Sequence, residues 1–352
     1  MPEPHFPVLK TQFASDNTAG VCPEAWEAMA RANRDFAPSY GNDVWTERAA
    51  NLLRDLFEAP DAEVFFVFNG TAANSLALAS CCQSYHSIIC HEHAHIVDDE
   101  CGAPEFFSNG TKLLGAPGEH GKIGPESIAE LASKRTDIHY PKPRVVSLTQ
   151  STELGTVYQL NELEAIRETT RRLGLITQMD GARFANAVAS LGVAPKSASW
   201  QSGIDVLCFG GTKLGMASCE AVIFFNRELA REFDYRCKQA GQLASKMRLL
   251  SAGWVGVLEN GAWLRHAQHA NRCARRLAER LKTVAGFVPA HPVEANVVFI
   301  ALPDQVLKGL RARGWIIYSF IGGNVARLMC SWQTTDADID ALVADLGELI
   351  RR

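Results

Sequence analysis

The chain has no basic block, no long apolar run and no C-x-x-C pair, and each absence removes a class of function. Its 35 basic and 39 acidic residues leave a net charge of −4 and are spread along the sequence. A nucleic-acid binder would cluster Lys and Arg, so nucleic acid is excluded as the main partner. No apolar stretch reaches the roughly 18 to 20 residues that span a bilayer, which argues against a membrane protein. The opening MPEPHFPVLK lacks the basic start and apolar core of a secretory signal. Ten cysteines are present, with Cys81 and Cys82 adjacent. In a chain of 352 residues, that usage reads as buried, reduced thiols in a cytoplasmic protein. Internal repeats, low-complexity segments and Gly/Ser linkers are missing too.

What remains is an ordinary globular composition, 47% hydrophobic and 21% charged, in a chain too long for one compact core. Short β-branched and aromatic runs, VFFVF (64–68), SIIC (87–90), RVVSL (144–148), LITQMD (175–180), DVLCF (205–209) and AVIFF (221–225), alternate with helical patterns such as 71–83 and 161–174. Nearly continuous apolar strands fit a parallel sheet covered on both faces by helices. After about residue 250 the pattern changes. A long helical stretch (261–286) precedes the short strands ANVVFIAL, WIIYSF and ARLMCSW and a final amphipathic helix, DADIDALVADLGELIRR. The expected division is a large domain with its N-terminal arm over 1–250 and a small α/β domain over 251–352.

Three stretches carry chemistry. FNGTAAN (68–74) follows a strand and opens a helix, so Gly70 and Thr71 stand at a helix N-terminus able to hold a phosphate; a plain connection fits as well. Its spacing is neither of the nucleotide-binding glycine fingerprints. In QMDGARFANA (178–187), Asp180 ends an apolar strand, where open α/β sheets present functional groups. It would either cap the next helix or pair with a protonated ring nitrogen, and Arg183 beside it suits a bidentate grip on a carboxylate. In CFGGTKLGM (208–216), Lys213 follows a strand and two glycines with no other charge until Glu220. It is either a snorkelling surface lysine or a desolvated nucleophile toward carbonyls. A phosphate cradle, an anion for a pyridine nitrogen and an imine-forming amine are what pyridoxal phosphate requires.

With SDNTAG (15–20), APSYGND (37–43), HIVDDECGAPEF (95–106) and FGGTKLGMASCEAVIFFN (209–226), these stretches resemble the low-specificity L-threonine aldolases from about residue 11 to the end. The resemblance implies an α/β fold of the fold-type-I pyridoxal-phosphate class and a homotetramer built as a dimer of dimers. It also implies retro-aldol cleavage of a small β-hydroxy-α-amino acid, L-threonine or L-allo-threonine, to glycine and an aldehyde. A phenylserine aldolase or another lyase of this fold stays open as an alternative. Residue by residue, the resemblance makes Lys213 the Schiff-base lysine, Asp180 the partner of the ring nitrogen, and Gly70 and Thr71 the phosphate holders. Ser15, Arg183 and Arg327 correspond to the grip on the substrate carboxylate, and Tyr40 to a position near the site, often across a subunit boundary. His95, followed by Glu100 and Gly102, corresponds to the histidine stacked on the cofactor ring, and His139 in TDIHYPKP to one that addresses the β-hydroxyl. The base for the hydroxyl stays open among His95, His139 and an ordered water. The family usually has T-K-N-G where this chain has Leu214 after Lys213, and S-C-E (218–220) follows where a glycine is common.

HEHAHIVDDE (91–100) also contains H-E-x-x-H, a zinc-hydrolase spacing that needs both histidines on one helical turn. His91 follows a strand directly and the helical pattern starts only near His95, so no catalytic metal is expected.

Overall fold

The computed structural model describes residues 9–319 and 324–351. Most of MPEPHFPVLK and Phe320, the end of WIIYSF, lie outside the described residues.

Seven strands form the main sheet: β1 Glu63–Val67, β2 His86–His91, β3 Lys112–Ala116, β4 Lys142–Thr149, β5 Ile176–Gly181, β6 Val206–Gly210 and β7 Glu220–Phe224. Their spatial order is β1-β7-β6-β5-β4-β2-β3. β2, β5, β6 and β7 are buried at every position, which is why they read as continuous apolar runs. β3, KLLGA, escapes the sequence reading because it is an edge strand with an exposed Lys112 and only two fully buried residues.

The sheet is parallel except for β7, which runs antiparallel to both β1 and β6. A β6–β7 connection of only nine residues, 211–219, is far too short for a parallel crossover, so the chain turns back beside β6. One consequence governs the site. The start of β7 shares an edge of the sheet with the ends of β4, β5 and β6, and Glu220 pairs in register with Gly210.

Two helices, Arg248–Glu259 and Ala262–Ala285, lead to a second sheet of β8 Val297–Ala301, β10 Val325–Met329 and β9 Tyr318–Ser319, in that order, backed by the helix Asp336–Ile350. Two core clusters lie on the faces of the main sheet and another beneath the small sheet. The N-terminal arm belongs to the last of these. Phe13 is buried among Trp315, Leu328 and Leu342, and its carbonyl accepts from Met329 N at 3.0 Å. That stitching delivers residues 15 and 16 to the crevice between the two sheets. Nine of the ten cysteines are buried thiols, and Cys101 is exposed.

Candidate active site

The C-terminal edge of the main sheet gathers most of the expected residues. Asp180 stands near the end of β5, where its Oδ1 accepts from Ala182 N at 2.9 Å and its backbone carbonyl accepts from Gln150 N at 2.8 Å. β5 and β6 run so close here that a side chain at Gly210 would strike the Ala182 backbone. Beyond Gly210 the chain makes a tight turn over 211–215 and carries Lys213 into the buried edge. Burial, then the Arg183 charge, hold the Lys213 amine below its ordinary range, against the opposing pull of Asp16, Asp180 and Glu220. A lysine depressed this way offers more of its neutral, nucleophilic form.

On the other side of Asp180, Gly70 and Thr71 open the helix Gly70–Cys81. The Asn69 side chain accepts from Ala72 N at 2.9 Å and the Asn69 carbonyl from Ala73 N at 3.1 Å. That leaves the N–H groups of Gly70 and Thr71 as the first-turn donors without a helical acceptor. A Cβ at Gly70 would meet nothing within 4 Å, so there is open space beside these donors.

His95 is the first residue of a short helix, His95–Asp98, whereas His91 ends β2. The H-E-x-x-H histidines therefore do not share a helical face. His91 instead pairs its Nε2 with Gly118 O at 3.0 Å and accepts His93 N on its Nδ1 at 3.1 Å. His95 Nδ1 lies 2.8 Å from Glu100 Oε1. Burial alone would depress this imidazole, but the Glu100 hydrogen bond and the Asp180 charge outweigh it and hold its pKa above the ordinary value. The Asn74 amide donates to Glu100 Oε1 at 2.9 Å and to Asp180 Oδ2 at 2.8 Å, so one NH2 group links two buried carboxylates. Glu153 lies behind His95, accepting His95 N and Thr149 Oγ1, each at 2.8 Å. Burial pushes its carboxyl up to about 6.

Across the crevice, Arg183 grips Asp16 in a fork: Nε donates to Oδ2 at 2.7 Å and Nη2 to Oδ1 at 3.0 Å. Asn296 Nδ2 donates to the same Oδ2 at 3.2 Å, tying the fork to the small sheet. Arg327, on β10, is half-buried, and its pKa is lowered by burial and then by the charge of nearby Arg183. The two guanidiniums thus lie close enough to feel each other's charge, and a planar fork of this kind suits a carboxylate. Ser15 adjoins Asp16, and its Oγ accepts from Asn17 N at 3.2 Å.

Two expected residues do not join this cluster within the chain. His139 is exposed in the loop before β4, with its N–H on Asp137 Oδ1 at 3.1 Å. β4 is eight residues long, so within one chain His139 stands about 25 Å from the strand's active end. The D-I-H motif precedes β4, at the opposite end of the strand from the Asp180 edge. Tyr40 is also exposed, with a left-handed backbone and its ring under Lys238 at 4.8 Å. In the other direction, Asp16, Asn74 and Glu153 were missed. Asp16 and Asn74 lie inside the recognised SDNTAG and FNGTAAN, one or three residues from the positions singled out. Glu153 had no sequence signal. Leu214 turns into the core and is almost fully buried, so its substitution is a repacking beside Lys213 and does not line the crevice.

Among the described residues two groups have the spacing of metal donors, His95–Glu100–Asp180 and Cys22–Glu24–His266. Both are already internally bonded: the first through Asn74, the second by His266 Nε2 on Glu24 at 3.0 Å with Arg265 3.6 Å away.

A mostly parallel sheet that gathers a half-buried lysine, a strand-end aspartate and a helix N-terminus at one edge is the arrangement of the fold-type-I class, and the β-eliminating lyase model matches residues 12–303. The chain is 63% identical to the low specificity L-threonine aldolase of Pseudomonas aeruginosa over 335 residues, 95% of this chain and 96% of that one. It is 62% identical to the enzyme of the same name from a Pseudomonas species over the same share of both chains. The solved structure of Leishmania major threonine aldolase superposes with a TM-score of 0.91 at 29% identity, covering 97% of this chain and 99% of that one. The chain belongs to the low-specificity L-threonine aldolase family. No helix among the described residues is long and apolar enough to cross a membrane.

Proposed function

We propose that this protein cleaves L-threonine, L-allo-threonine and related β-hydroxy-α-amino acids to glycine and an aldehyde with pyridoxal 5'-phosphate as cofactor, as a cytoplasmic homotetramer. The observation that carries the reading is the convergence of Lys213, Asp180, His95 and an arginine pair on one sheet edge, in a chain 63% identical to a low specificity L-threonine aldolase. The residues fit the cofactor: open space beside the Gly70 and Thr71 donors suits the phosphate, and Asp180 suits a protonated ring nitrogen. When bound, pyridoxal phosphate supplies the electron sink that accepts the pair from the broken Cα–Cβ bond.

The protein's own groups do the rest. Lys213, its amine depressed by burial and by Arg183, would be the group that holds the cofactor through its aldehyde. Asp180, held by Ala182 N and Asn74, would pair with the protonated ring nitrogen. Arg183 and Arg327, with Ser15, fix the substrate carboxylate; Asp16 uses one N–H on Nε and one on Nη2 of Arg183, which leaves three donors on the two Nη atoms. Fixing the carboxylate sets which bond at Cα stands ready to break. His95, anchored by Glu100, would cover the ring and offers an imidazole for proton transfer at the substrate. His139 addresses a hydroxyl only at a neighbouring subunit's site, and Tyr40 belongs with that same boundary. The large unit, 1–250, carries the cofactor residues, and the small unit, 251–352, contributes Arg327.

The test is spectroscopic and catalytic. Purified protein with pyridoxal phosphate gains the visible absorption of a lysine-bound pyridoxal and forms glycine from L-threonine, unaffected by a zinc chelator. Lys213→Ala abolishes both. A panel with L-allo-threonine and phenylserine ranks the substrates. Colourless protein, or activity that survives Lys213→Ala, refutes the reading.

A further inference from the structure

We infer that Glu220 is a positioning residue for Lys213, bracing from β7 the turn that carries the lysine. The inference rests on Lys213 being the imine-forming amine. The turn closes on itself through three backbone bonds: Leu214 N to Gly211 O at 3.1 Å, Gly215 N to Thr212 O at 3.2 Å and Met216 N to Gly211 O at 3.1 Å. These set its shape but not its position relative to the sheet. Glu220 supplies the position. Its Oε2 accepts from Gly211 N at 2.7 Å and its Oε1 from Thr212 Oγ1 at 2.6 Å. Both oxygens of one buried carboxylate are thus committed to the two residues preceding Lys213. Burial raises the Glu220 carboxyl, while the Thr212 and Gly211 bonds and the Lys213 charge favour its ionised form, in which such bonds are among the stronger ones a protein makes.

The segment around Glu220 is built for bracing. Gly211 presses against the Cys219 carbonyl, the Met216 sulfur and Trp254, leaving no room for a side chain. Cys219, just before Glu220, has φ +115°, a conformation that side-chain-bearing residues rarely adopt and that persists only where the surroundings over-determine it. Its N–H donates to Phe68 O at 3.3 Å, and Ser218 Oγ donates to the same carbonyl at 2.6 Å. Phe68 leads directly into Asn69, Gly70 and Thr71. Residues 218–220 therefore tie the lysine turn and the phosphate-side turn to a single piece of backbone. A shift of β7 would move both. Glu220 also adds negative charge facing the amine, alongside Asp16 and Asp180 and against Arg183.

The two contributions separate by mutation. Glu220→Gln keeps an acceptor for Gly211 N and an amide able to donate to Thr212 Oγ1, so it removes charge and keeps the brace. Glu220→Ala removes both, and Thr212→Val removes one of the two anchors. Each variant is purified, stripped of cofactor, and mixed with pyridoxal phosphate. The rate at which the visible band appears, the pKa of that band, and kcat and KM for L-threonine are then measured. For Glu220→Ala, capture and kcat both fall on the order of 10²-fold, the cost of about an ångström of misplacement, while KM changes little because the carboxylate grip lies elsewhere. Thr212→Val gives an intermediate loss of capture. Glu220→Gln captures the cofactor like wild type, but its band titrates at lower pH. If Glu220→Ala does not fold, judged by circular dichroism, Thr212→Val decides. Wild-type capture and kcat in Glu220→Ala, or in Thr212→Val where the first variant is unfolded, overturn the inference. Failure of the Lys213 reading looks different: wild type gains no band, or Lys213→Ala gains the same one.

Discussion

Replacing Asp16 by Asn isolates the most heavily buried ion pair of the crevice. The Asp16 side chain is 1% exposed and that of Arg183 15%, and they meet through two hydrogen bonds. The substitution keeps the shape and deletes the charge, stranding the Arg183 guanidinium in a desolvated place. Breaking one partner of such a pair costs about 3–5 kcal/mol, most of it the penalty on the charge left behind. Asn retains one acceptor, so the lower figure, about 3 kcal/mol, is expected at pH 7. The pH dependence carries its own signature. Burial alone would raise the Asp16 carboxyl, but Arg183, with help from Lys213 and Asn296, holds it below its ordinary 3.8. A depressed carboxyl stabilises the fold fully above its unfolded pKa, and that contribution is lost as pH falls through the lower folded value. The stability gap between wild type and Asp16→Asn is therefore constant from pH 7 to about 5 and closes below about 4. Urea unfolding at one fixed protein concentration, repeated across that range, measures it. Because Asp16 orients Arg183 for the substrate carboxylate, KM rises more than kcat falls. An unchanged urea midpoint at pH 7 together with an unchanged KM would refute the reasoning.

Two further perturbations test neighbouring parts of the structure. Glu100→Gln removes the charge that holds the His95 imidazole above its ordinary 6.5, so the limb of the kcat/KM profile governed by His95 moves to lower pH. A raised histidine pKa stabilises the fold below the unfolded value and ceases to do so as pH rises through the folded one. Glu100→Gln therefore loses more stability at pH 6 than at pH 9; equal losses at both would contradict it. Gly256→Ala tests packing: a Cβ there would collide with the Glu24 carbonyl on the helix Pro23–Ala32. In an open helix this change would gain about 0.5–1 kcal/mol, but overpacking here reverses the sign and costs about 1–3 kcal/mol in a thermal or urea melt.

Much of the site was legible because its parts sit at strand ends, where an apolar run stops at a polar residue. Asp180 closing LITQM and Lys213 following CFGG are visible that way, and each apolar run predicted a strand in the main sheet. Asp16 and Glu153 were not. A buried carboxylate looks like a surface one until its partner, 167 residues away for Asp16, is brought alongside. His139 shows the converse: its motif is readable in sequence, but within one chain it falls at the far end of its strand from Asp180.

The sequence by itself determined the alternation of strand and helix and the aspartate, lysine and glycine turn of the candidate site, because burial periodicity and turn chemistry are local. Only the tertiary structure decided that β7 runs against its neighbours and so delivers Glu220 to the lysine turn. It also decided that Asp16 occupies the Arg183 fork, and that H-E-x-x-H is split between a strand and a helix. Strand direction and charge pairing depend on which distant segments meet, and a local pattern does not encode that.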